Sequence, residues 1–183
     1  EKEYTMKGLC YSALSYGPLC IDKVTVVIGD GDLAIRSAGE VATVAKQVYV
    51  VCKTGEALDT LVGKKLQSSK NVTILKGYDV VEVKGDEYAR SIVLKAPDGA
   101  IQEIEADTMF VERALTPMSQ MVAGLVKLDD RGRIIVDCAN RTDVAGIFAA
   151  GDVTNTYAEQ VLVAVGEGAK AALSAYEYLL PEL

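Results

Sequence analysis

Residues 24–52, VTVVIGDGDLAIRSAGEVATVAKQVYVVC, constrain this chain more than any other stretch. They open on Val24-Thr25-Val26-Val27-Ile28, the continuous apolar run of a strand buried on both faces of a parallel sheet. Gly29-Asp30-Gly31-Asp32-Leu33-Ala34 follows as a G-x-G-x-x-A pattern. Leu33, Ile35, Ala38, Val41, Ala42 and Ala45 then recur near helical spacing, and Val48 to Val51 closes a βαβ unit of about the ~30 residues such a unit needs. The small residues have separate uses. One glycine lets the chain turn tightly, the next lets a pyrophosphate approach the backbone, and Ala34 lets helix and strand pack closely. Free N–H groups at the helix start favour an anion. Taken singly, the turn fits either a dinucleotide site or plain structure; strand, turn, helix and strand in register favour the dinucleotide.

Composition removes several function classes. A net charge of −7 argues against general nucleic-acid binding, because an acidic surface repels phosphate backbones. With no histidine, the chain lacks the commonest general base, the Ser-His-Asp triad and most zinc chemistries. The four cysteines, Cys10, Cys20, Cys52 and Cys138, show no C-x-x-C spacing and read as scattered small apolar residues rather than metal ligands or nucleophiles. No apolar run approaches the ~18 residues of a membrane span, and the first residues do not resemble a secretory signal. The expectation is a soluble, cytoplasmic protein without metal, nucleic acid or membrane.

Glu1 to Lys7 is charged and reads as a linker, and Gly8 to Pro18 as a loop or helical turn. After the βαβ unit, Ala57 to Leu66 has helical character and Asn71 to Leu75 reads as a third parallel strand. Tyr78 to Val83, Arg90 to Lys95 and Ile101 to Glu105 form a β-rich meander around turns at Lys84-Gly85-Asp86 and Pro97-Asp98-Gly99. Thr108 to Val111 returns to the core sheet, and Glu112 to Pro117 marks a boundary. Beyond it, Leu128 to Val136 is expected as a turn entering a strand and Ile147 to Ala150 as a short strand, then one helix over Ala158 to Leu180. Gly166 and Gly168 each cost that helix ~1 kcal/mol. Close approach of something flat, or of another backbone, would explain them.

With GDGDLA, Ile147-Phe-Ala-Ala-Gly-Asp-Val153, Gln160 and Gly166-Glu-Gly168 in view, the chain resembles the thioredoxin reductase family, including the flavoprotein component of alkyl hydroperoxide reductase. The resemblance implies an α/β fold: a Rossmann-like NAD(P)-binding domain with an antiparallel β-meander over 9–112, preceded by a linker at 1–8. The carboxyl-terminal half of a FAD-binding domain would follow over 113–183. It implies NAD(P)H at Gly29, Gly31, Asp32, Ala34 and Lys53, and FAD at Gly151, Asp152, Gln160 and the Val161 backbone. Asp152 would accept from the ribityl chain; read from the residues alone, an acid after a strand end also suits a polar ligand, with a helix or turn cap as the lesser alternative.

Three departures accompany the resemblance. Ser12 and Ser15 stand where the family carries its redox cysteine pair, and Tyr16 where it carries an acid; serine cannot form a disulfide, so the dithiol relay is expected to be absent. Cys10 and Cys20 would have to substitute, across a nine-residue separation that gives no support. Cys52-Lys53-Thr54 offers neither the acid that accepts from the ribose of NAD nor the arginines that hold the 2′-phosphate of NADP. Ala114 replaces a turn glycine. The resemblance thus implies an oxidoreductase in which NAD(P)H reduces FAD and electrons leave by a route other than a dithiol. The alternative is a non-catalytic dinucleotide-binding or assembly module. Either way, an amino-terminal FAD half on a longer protein or another chain, a second subunit, or a homodimer is the expected partner.

Overall fold

Side chains that alternate along three neighbouring strands give the first part of the chain two apolar faces, and each face is covered by a different layer. The computed structural model describes residues 2–113 and 115–182. The chain divides into two units, Glu1–Ala114 and Leu115–Leu183.

In the first unit, strands β1 (Leu9–Cys10), β2 (Val24–Ile28), β3 (Gln47–Cys52), β4 (Val72–Lys76) and β8 (Thr108–Val111) form a sheet in the order β1-β8-β2-β3-β4. Every pairing in it is parallel. Val27, Val48, Val50 and Phe110 point to one side. There they meet Ala34, Ile35, Ala38 and Val41 of helix α2 (Asp32–Ala42) and Leu66 of α3 (Leu61–Gln67). Ala13, from the four-residue α1 (Ala13–Tyr16), joins the same cluster. Val26, Ile28, Val51 and Met109 point to the other side. They pack on Ile92, Leu94 and Ile104 of a three-stranded antiparallel meander of β5 (Asp79–Gly85), β6 (Ala89–Lys95) and β7 (Ile101–Glu105). Burying a side chain of this size contributes about 1.5–3 kcal/mol, so both layers are needed to hold the sheet.

Two sequence expectations are refined here. The helix expected over Ala57 to Leu66 is broken: a 3-10 turn at Glu56–Asp59 precedes α3, and Thr60 caps α3 by accepting from the Gly63 N–H at 3.1 Å. A Cβ on Gly63 would fall 2.5 Å from the Ala57 carbonyl oxygen, so the glycine permits the tight join. Within the segment read as a linker, Lys2–Tyr4 is a 3-10 turn whose Tyr4 is buried in the core.

The second unit contains helix α4 (Val161–Leu179), close to the expected bounds. The turn expected within Leu128 to Val136 is present, with the Gly132 N–H donating to the Asp129 carbonyl at 2.9 Å. The strand it enters and the one at Ile147 to Ala150 are present only as isolated bridges, Leu128 with Ile134, Ile134 with Thr154 and Arg141 with Phe148. A strand needs a continuous ladder on a neighbour, and these segments find single contacts within the chain. Among the described residues of this unit, Val126 and Ile134 are the buried apolar side chains. Ala114, read as replacing a turn glycine, lies outside the described residues. No described helix is long and apolar enough to cross a membrane. The described residues hold no group of histidine, cysteine or acidic side chains arranged for a metal.

Candidate functional site

The sheet order places a topological switch between β2 and β8: the chain leaves β2 toward β3, while β8 lies on the opposite side. Crevices outside the carboxyl ends of parallel strands at such a point are where α/β sheets bind ligands. A cleft of about 490 Å³ opens there, lined by Ile28, Gly29, Asp30, Val51, Lys53, Tyr78, Asp79, Val80 and Arg113.

Gly29 continues the ladder by donating to the Val51 carbonyl at 3.0 Å. A Cβ at Gly29 would lie 2.0 Å from the Glu112 carbonyl oxygen and 3.0 Å from the Ala34 Cβ, so the glycine lets the loop, helix α2 and the end of β8 converge. Gly31 has φ +90° with open space where its Cβ would stand. It precedes α2, whose first turn carries Asp32 and no side-chain cap, leaving backbone N–H groups at the helix start. Gly29, Gly31, Asp32 and Ala34 are thus brought together at the turn between β2 and α2.

Asp30, which fills a variable position of the motif, was not singled out from the sequence. Its Oδ2 accepts from the Lys53 N–H at 2.9 Å. Its Oδ1 accepts from the Thr54 N–H at 2.9 Å, the Gly55 N–H at 3.1 Å and the Thr54 hydroxyl at 3.1 Å. Partial desolvation works to raise this carboxyl; the N–H groups of Lys53, Gly55 and Thr54 and the Thr54 hydroxyl outweigh it and hold Asp30 below the usual aspartate range. Lys53 turns its ammonium to the Asp79 carboxylate, an exposed ion pair. Tyr78, Asp79 and Arg113 were also missed, because they reach the cleft from the start of β5 and the end of β8.

Glu112, 3% exposed, follows β8 with its backbone beside Gly29. Its carboxylate accepts from the Ala13 N–H at 2.7 Å. Burial pushes the Glu112 carboxyl above the ordinary glutamate range; hydrogen bonds from Ala13 and Ser37 oppose the rise without cancelling it, and nearby Glu40 adds to it. Ser12 and Ser15 lie together on the same turn: the Ser12 hydroxyl donates to the Ser15 hydroxyl at 3.0 Å and accepts from the Ser15 N–H at 3.3 Å, capping α1. Cys10, Cys20 and Cys52 are buried, whereas Cys138 is exposed. Burial raises the Cys10 thiol, with Cys20 adding to the effect; burial and Asp30 raise that of Cys52 against Lys76. Buried thiols pushed upward are poor nucleophiles.

In the second unit, Gly151 has φ +82° and its N–H donates to Glu167 Oε2 at 2.9 Å. The Thr156 hydroxyl donates to Glu167 Oε1 at 2.8 Å, so this one carboxylate of α4 holds the 151–156 turn. Asp152 is exposed, and its carboxylate accepts no hydrogen bond among the described residues, so it caps nothing there. Gln160 is the N-cap residue of α4 but makes no capping hydrogen bond, and Val161 is 79% exposed. A Cβ at Gly166 or Gly168 would meet open space, so neither glycine is explained by a neighbour within the chain.

Residues 8–168 match the model of the pyridine nucleotide-disulphide oxidoreductase family. The chain belongs to that family. It is 39% identical over 184 residues to the F component of alkyl hydroperoxide reductase of Xanthomonas campestris pv. phaseoli, covering 98% of this chain and 34% of that protein. It is 35% identical over 182 residues to an NADH dehydrogenase of Bacillus subtilis, covering 98% and 36%. Among solved structures, thioredoxin reductase from Giardia duodenalis superposes with a TM-score of 0.89 at 31% identity, covering 98% of this chain and 60% of that one. Thioredoxin reductase from Streptococcus pyogenes gives 0.88 at 28% identity, with the same coverage. This member of the family therefore spans about a third of the length of the curated relatives it matches. Its mixed α/β architecture, with parallel and antiparallel sheets, is that of the thioredoxin reductases.

Proposed function

We propose that this chain supplies the nicotinamide-dinucleotide site, and part of the flavin site, of a thioredoxin reductase-like oxidoreductase in which NAD(P)H reduces FAD. The observation that carries the reading is the cleft at the switch point, lined by Gly29 and Asp30 of the GDGDLA turn, which leads into the uncapped start of α2. There the backbone N–H groups after Gly31 orient the pyrophosphate, and Gly29 keeps the loop close enough to β8 for the crevice to exist. In the second unit, the exposed Asp152 on a glycine turn, held by Glu167 beside the start of a 19-residue helix, fits a flavin nucleotide. Asp152 would accept from its sugar-alcohol chain, and Gln160 with the Val161 backbone would stand by its ring. FAD, when bound, supplies the hydride acceptor. The first part of the flavin site would come from an amino-terminal half on the same longer protein or on a second subunit. Because serines occupy the turn at 12–15, no residue there can relay electrons as a dithiol, and they would leave through another acceptor.

The test is anaerobic titration with NADH and NADPH of this chain paired with an amino-terminal FAD half from a relative. A flavin band that bleaches supports the reading. A complex that binds nicotinamide nucleotide but never flavin favours a dinucleotide-binding module, a reading that the Ser12–Ser15 cap also favours. Failure to bind either cofactor overturns both.

A further inference from the structure

In a Rossmann-like βαβ unit, the choice between NAD and NADP is made at the end of the second strand, where an acid accepts from the ribose 2′-hydroxyl or arginine receives a 2′-phosphate. In this chain that strand is β3, and Cys52-Lys53-Thr54 carries no acid and no arginine. A carboxylate is nevertheless present there. Asp30 reaches from the loop after β2 and accepts from three consecutive N–H groups, those of Lys53, Thr54 and Gly55.

We propose that Asp30, a residue of the phosphate loop, takes the part of the missing strand-end acid and sets the cleft for NADH against NADPH. This rests on the nucleotide site proposed above and names the residue that selects its ligand. Oδ1 accepts three hydrogen bonds, whereas Oδ2 accepts one, from Lys53, and so retains acceptor capacity for a ribose hydroxyl. The four bonds fix the carboxylate in place before any ligand arrives. A 2′-phosphate would meet that fixed negative charge and a second one on Asp79, with Lys53 between them already paired to Asp79. Lys53, a point charge, lacks the fork that holds phosphate bidentately. The other cation lining the cleft, Arg113, follows β8; β2 separates β8 from β3, so the Arg113 backbone stands two strand spacings, about 10 Å, from the end of β3.

The test is calorimetric titration of the purified chain with NADH and with NADPH, for the parent and for Asp30→Asn, with thermal melting to confirm that the variant folds. The parent is expected to bind NADH at least about tenfold more tightly than NADPH, the scale of a like-charge penalty. In Asp30→Asn the ratio is expected to fall to within about threefold, through weaker NADH and stronger NADPH binding. Salt supplies a check without substitution: the parent's NADH preference should shrink between about 0.05 and 0.5 M salt, because added ions screen the repulsion. If the parent binds both nucleotides equally, or its preference survives both Asp30→Asn and high salt, Asp30 is not the selector and the nucleotide site still stands. If the folded parent binds neither nucleotide, the site itself is overturned.

Discussion

Gly29 and Gly31 flank one aspartate, and replacing each should reveal a different constraint. A methyl group at Gly29 would stand 2.0 Å from a backbone oxygen that cannot rotate away, so Gly29→Ala is expected to cost about 3 kcal/mol or more, the upper end of overpacking. At Gly31 there is room, and only the backbone resists: φ +90° with ψ −176° is a conformation that glycine alone readily adopts, so Gly31→Ala should cost about 1–3 kcal/mol. Urea denaturation of the two variants measures both. Glu112 gives a pH prediction. Its raised native pKa means that the folded chain holds a proton where the unfolded chain has lost it, so this group's contribution is greatest below the ordinary glutamate range. The contribution is lost as pH rises through the native value. Glu112→Gln, which keeps an acceptor for the Ala13 N–H, should therefore gain stability relative to the parent as pH increases, and the gain should vanish in acid. Melting temperatures from about pH 4 to 8 decide this. A gap that does not change with pH would mean that burial leaves Glu112 unshifted. The glycines were legible in the sequence because their spacing is local. The reach of Asp30 was not, because its partners lie 23 to 25 residues away and depend on how β2 and β3 are set in the sheet.

At the scale of elements, the βαβ unit was readable almost to its ends: Val24–Ile28 forms a strand over the expected residues and Gln47–Cys52 one residue longer at each end than expected, and the returning strand Thr108–Val111 also falls where expected. The apolar runs there are paired on both sides by other strands of the same chain, so pattern and structure agree. Ile134 to Val136 carries a similar apolar run without the ladder, and a pattern by itself does not make a strand. Helix α4 presents the converse. Its two glycines have no crowding neighbour, so Gly166→Ala and Gly168→Ala should each stabilise the helix of the isolated chain by about 0.8–1 kcal/mol. In the complex proposed above, the same substitutions should weaken flavin binding if that bare stripe faces the ring. Thermal melts and flavin titration of the pair of variants would separate the two effects, and stabilisation with flavin affinity unchanged would place the ring elsewhere.

At the scale of the molecule, apolar burial is uneven. The first unit packs both faces of a sheet, while the second leaves Met118, Met121, Leu162 and Val165 exposed by 66% or more. Limited proteolysis should therefore cut first within 115–183, and a complementing amino-terminal half should slow that cleavage. Thiol titration gives an independent check. Cys138 is expected to react at once in the native chain, and Cys10, Cys20 and Cys52 only on unfolding. Rapid modification of a second thiol would mean that the core of the first unit opens readily.

The four bonds to Asp30 also bear on how quickly the crevice can be filled. A wall whose loops are already tied to each other has little left to order when a ligand arrives. Association should then be limited by encounter, with affinity expressed in the lifetime of the complex. Loosening Asp30 would shift part of that control to the on-rate, as a loop that must first find its shape begins to delay capture.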